Sequence, residues 1–63
     1  MEGYPFFVLV PKYQADETTM GEWLEMRNAD YVSLTHISGS RLSFEFHFAS
    51  KRTADEFARN FVG

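Results

Sequence analysis

The chain contains no cysteine, so disulfides and thiolate-held metal sites are excluded. Proline is scarce, at two residues, and glycine stands at four, which leaves no material for a Gly- or Pro-rich linker. No apolar run approaches the roughly 18 residues of a membrane span. Met1-Glu-Gly-Tyr-Pro5 lacks the basic start of a secretory signal, so cytoplasm is the default location. Basic charge is also short, with six Lys and Arg against nine Asp and Glu and a net charge of -3. Duplex-binding proteins carry a basic patch that displaces counterions from phosphates, so this balance argues against nucleic acid. It is too mildly acidic for a nucleic-acid mimic and is best read as an aid to solubility.

Aromatic bulk is what the chain has. Seven Phe, three Tyr and one Trp lie among 63 residues. A single domain of this size, residues 1–63, buries only about 60% of the surface its unfolded chain exposes. Large side chains compensate, each buried Phe being worth about 1.5–3 kcal/mol.

Arg41-Leu-Ser-Phe-Glu-Phe-His-Phe48 alternates without a break. Leu42, Phe44, Phe46 and Phe48 leave one side of an extended chain, and Arg41, Ser43, Glu45 and His47 leave the other. This is a strand with one packed and one polar face. Residues 4–10 form an earlier strand, punctuated by Pro5 and Pro11. Both its faces are apolar, with Tyr4, Phe6, Val8 and Val10 on one and Phe7 and Leu9 on the other, so its facing stays open. Tyr31 to Ile37 is a further strand, in which Val32, Leu34 and His36 alternate with Ser33, Thr35 and Ile37. Consistent facing pairs Leu34 with Phe44, His36 with Leu42 and Val32 with Phe46 across a three-residue Ser38-Gly-Ser40 loop. His36 then lies at the core margin, and His36 and His47 face opposite sides, too far apart to share a metal.

Two helices complete the chain. Thr19-Met-Gly-Glu22 has the form of a capping box, with Asp16 or Thr18 as alternative caps, and Met20, Trp23, Leu24 and Arg27 form a stripe over about residues 17–28. Met26 falls off that stripe. Ser50 or Thr53 caps the second helix, whose stripe is Ala54, Phe57, Ala58 and Phe61.

The order β-α-β-β-α predicts an α+β two-layer sandwich. A right-handed crossover and an inserted hairpin give a three-stranded antiparallel sheet of order 1-3-2 with both helices on one face. That arrangement resembles the ferredoxin-like plait without its last strand, a likeness of topology that rests on no motif. Losing that strand leaves residues 4–10 as an apolar sheet edge, of the kind that partners or charges usually protect.

Candidate functional residues lie on the open sheet face. Ser33, Thr35, Ser43, Glu45 and His47 permit a Ser-His-Glu arrangement to be drawn, but no nucleophile elbow, oxyanion hole or closed pocket accompanies it. No cofactor or metal motif is present, and two histidines without cysteines do not suggest zinc. Arg41 to Phe48 superficially resembles an RNA-binding octamer, yet its third and fifth residues are Ser43 and Glu45 where stacking aromatics belong. Lys51, Arg52 and Arg59 are interrupted by Asp55 and Glu56. The reading that remains is a non-catalytic, regulatory interaction module. It binds another protein or its own copy through strand 4–10 or the open face, at Phe7, Leu9, Glu45 and His47. Host-modulating proteins of viruses and phages include chains of this size. The first alternative is a small dimeric enzyme with a cleft between two sheets and His47 as base; the second, against which the charge balance argues, is a nucleic-acid binding module.

Overall fold

Asp16 opens the first helix and Asn28 closes it. In the computed structural model, which describes residues 2–62 and leaves Met1 and Gly63 outside, helix α1 spans Glu17–Met26. Asp16 accepts from the Thr19 N–H at 3.2 Å and from the Thr19 hydroxyl at 2.9 Å. The hydroxyl expected to cap the helix is therefore already inside it, and the Thr19–Glu22 box gives way to the Asp16 alternative. The Thr19 N–H, and then its hydroxyl, hold the Asp16 carboxyl below its ordinary pKa. At the far end Asn28 has φ of 50°. The Asn28 N–H reaches the Glu25 carbonyl and the Ala29 N–H reaches that of Leu24, both at 3.0 Å. This is a Schellman closure with Asn in the left-handed position, and it stops the helix short of the expected residue 28.

Strand β1 is Phe6–Pro11, followed by a 3₁₀ turn at Lys12–Gln14. Strands β2 (Tyr31–Ser38) and β3 (Arg41–Phe48) form the hairpin, and helix α2 spans Lys51–Phe61. Ser50 caps α2 by accepting from the Thr53 N–H at 3.3 Å. The sheet is antiparallel in the order β1-β3-β2, as the element order predicts. Tyr4 lies outside β1, where its hydroxyl donates to Asp30 at 2.8 Å. That bond, and then the carboxylate charge, raise the phenol's pKa.

The core forms where β1 and β3 meet both helices. Val8 and Val10 of β1, Phe46 and Phe48 of β3, Met20 and Leu24 of α1, and Ala54 and Phe57 of α2 are buried together. Phe57 is the hub, with ring centroids 4.8 Å from Phe46, 5.2 Å from Phe48, 4.8 Å from Phe61 and 5.6 Å from Trp23. Arg27 lies over the Trp23 ring at 3.9 Å and pairs with Glu56 of α2 at 3.6 Å, so its stem and charge close the seam between the helices. Along α2 itself, Lys51 pairs with Asp55, and Arg52 pairs with the same Glu56 that Arg27 reaches.

The hairpin register differs from the sequence expectation by one residue. Ser38 faces Arg41, Thr35 faces Phe44, Leu34 faces Glu45 and Val32 faces His47. The loop is therefore the two residues Gly39-Ser40, with Gly39 at φ of 62°. Positive φ at the first loop position alone is the II′ pattern, whose twist suits a hairpin. A one-residue slip exchanges the two faces of a strand. Tyr31, Ser33, Thr35 and Ile37 thus turn to the helix side, and Val32, Leu34 and His36 to the open side. Two contacts favour this register. Tyr31 lies 6.2 Å from both Phe46 and Phe48, and Glu45 gains an imidazole from β2.

Candidate functional site

β1 resolves its ambiguous facing by turning Phe6, Val8 and Val10 toward the helices, which leaves Phe7 and Leu9 on the open face. The strand pairings then define three rows across that face. Phe7, His47 and Val32 form one row, Leu9, Glu45 and Leu34 the next, and Pro11, Ser43 and His36 the third. In the first two rows a polar residue of the central strand is flanked by apolar residues of both edge strands. Phe7 is 59% exposed, Leu9 42% and Leu34 43%.

Glu45 is the centre of the face. Its Oε1 lies 3.5 Å from His36 Nδ1 and its Oε2 lies 3.4 Å from His47 Nε2. Phe7 stacks on the His47 ring with centroids 5.5 Å apart and planes 21° from parallel. The stacked Phe7 fits the low exposure of the His47 side chain, 14% against 53% for His36. The face therefore combines an acid partnered from two sides with exposed apolar flanks.

All four residues expected at the site, Phe7, Leu9, Glu45 and His47, are brought together here. Three features are corrected. Ser33 and Thr35 leave the open face, so the Ser-His-Glu arrangement loses both of those hydroxyls. His36 is not at the core margin. His36 and His47 share one side of the sheet because the register shift turns β2 over. Even so, the two imidazoles approach different oxygens of one carboxylate, and no metal-binding group of three His, Asp or Glu side chains forms among the described residues. Leu34 and His36 are the site residues that sequence reasoning missed. The signal that could have found them is Gly39-Ser40 read as a two-residue II′ loop.

At the hairpin end a depression of about 900 Å³ adjoins the face, lined by Leu9, Pro11, Tyr13, Arg41, Leu42 and Ser43. On the helix side a groove of about 250 Å³ lies between α1 and β2, with Met20, Leu24, Tyr31, Thr35, Phe44 and Phe46 in its walls. No helix among the described residues is long and apolar enough to cross a membrane. Comparison with family models, with curated proteins and with solved structures found no match.

Proposed function

We propose that this chain is a small non-catalytic interaction module that acts by binding another protein across its open sheet face. The observation that carries the reading is the three-strand pattern itself. Phe7, Leu9 and Leu34 are exposed on both edge strands around the Glu45 carboxylate and its two imidazoles. An exposed apolar patch with a polar centre suits a protein interface, where apolar anchors supply energy and charged groups set register. The depression beside the face at the hairpin end is open to solvent.

Leu9 sits in the row with Glu45 and Leu34, at the middle of the patch. Leu9→Lys places a charge among the anchors without touching the packed side of β1. In affinity capture from the native host, the wild-type chain is expected to retain a protein that Leu9→Lys loses by tenfold or more. Both should show the same helical circular dichroism. Equal capture by a folded Leu9→Lys would overturn the reading.

A further inference from the structure

The two edges of the sheet are built differently. A two-residue hairpin loop closes on a pair that exchanges both backbone hydrogen bonds, here Ser38 with Arg41. Alternation then directs the N–H and C=O groups of Val32, Leu34 and His36 toward β3, and those of Tyr31, Ser33, Thr35 and Ile37 outward. By the same alternation Phe7, Leu9 and Pro11 turn their backbone groups outward from β1. Pro11 has no N–H, so it costs the ladder nothing there and blunts that edge. β2 has no such protection. Tyr31–Ser38 contains no proline and no Lys, Arg, Asp or Glu. Its eight residues run for about 27 Å at ~3.4 Å per residue, a length comparable with the largest extent of the molecule, 31 Å. Tyr31, Leu34 and Ile37 are all exposed on it, Ile37 to 71%.

We infer that β2 pairs antiparallel with β2 of a second copy, joining the two sheets in the order β1-β3-β2-β2-β3-β1. The strand is complementary to itself in one register. With Leu34 on the two-fold axis, Leu34 meets the other copy's Leu34, Ser33 meets Thr35, Val32 meets His36, and Tyr31 meets Ile37. Leu34 then forms a pair without mutual backbone hydrogen bonds, where side chains approach most closely. Ser33 with Thr35 and Tyr31 with Ile37 become the hydrogen-bonded pairs, and they use every outward backbone group identified above. A hydroxyl pair and an aromatic–β-branched pair are among the combinations that stabilise sheets. Moving the axis to Thr35 would set Ile37 against Ser33 and Leu34 against His36, and would leave Tyr31 without a strand partner. The helix-side groove borders this edge, and Gly21 in its wall has nothing within 4 Å of where a Cβ would stand. Because residues paired across a two-fold share a face, the two open faces lie side by side. The dimer therefore presents a doubled docking surface. The pairing itself does not rest on the open-face reading.

Sedimentation equilibrium across a concentration series tests the pairing. The wild-type chain is expected to reach twice its 7.3 kDa mass in the micromolar range. Thr35→Pro removes an outward N–H and leaves the β3 ladder intact. It should raise the dissociation constant at least tenfold while keeping the helical spectrum. Leu34→Lys and Leu34→Glu should each be monomeric alone and dimerise when mixed, because position 34 opposes itself. Leu9→Lys should still dimerise, which separates this edge from the open face. A wild-type chain that stays monomeric at every concentration, a folded Thr35→Pro with wild-type affinity, or no association in the charge-swapped mixture would each overturn the pairing.

Discussion

The two faces of the sheet carry similar residues to opposite ends. On the helix side, Phe46, Phe48 and Phe57 lock together and are almost wholly removed from water. On the open side, Phe7 and Leu9 come from the same strand as Val8 and Val10 and stay exposed. Composition does not separate the two sets; cover does. Helix α2 packs over β1 and β3, and the described residues contain no second layer for the other face. A chain this small has only about 3–9 kcal/mol of net stability at ~0.05–0.15 kcal/mol per residue. The apolar side chains of the open face stay exposed and add little to that total, which is why a docking role is proposed for them.

The comparison breaks most visibly at its packed side. Phe57→Ala removes the ring that touches Phe46, Phe48, Phe61 and Trp23. It is expected to cost about 3–5 kcal/mol, enough to unfold much of the population. A urea melt followed by circular dichroism should show the transition shifted to the lowest concentrations or lost.

A smaller effect is expected at the start of α1, away from both faces. The Asp16 pKa is lowered in the folded chain. Its contribution is therefore full above the unfolded aspartate value of about 4. It is lost as pH falls through the lower folded value. Asp16→Asn keeps a capping oxygen but cannot titrate. Wild type should lose more stability than Asp16→Asn as pH falls below 4, and the two melting curves should converge at the acid end. Parallel acid limbs would show that the cap does not contribute this charge.

Much of this architecture was legible in the residues. The unbroken alternation from Arg41 to Phe48 gives β3 and its buried face, and the stripes through Met20 and Leu24 and through Ala54 and Phe57 give the inward sides of the helices. The order of elements then leads to the order of strands. β2 was legible as a strand but not in its facing. Val32, Leu34 and His36 look like its inward set only if burial decides, and here the turn decides. Gly39 takes positive φ in a two-residue loop, and that fixes the pairing regardless of which side is more apolar. Helix starts were ambiguous for a related reason. Thr19 and Thr53 each precede a glutamate by three, but Asp16 and Ser50, one turn earlier, already supply the cap. The facing of β1 was undetermined because both of its alternations are apolar. At the site, Phe7, Leu9, Glu45 and His47 could be named from the sequence, whereas Leu34 and His36 depended on the register.

Equilibrium urea unfolding of Phe7→Ala, at a concentration where the chain is monomeric, tests most directly whether the open face is spare. Among the described residues, the ring that Phe7 stacks on is His47. The expected loss is about 1–2 kcal/mol, one aromatic pair plus the buried part of a half-exposed ring, with an unchanged slope. A loss of about 3 kcal/mol or more, the scale of a packed core phenylalanine, would mean that the open face holds the fold together and is not free for a partner.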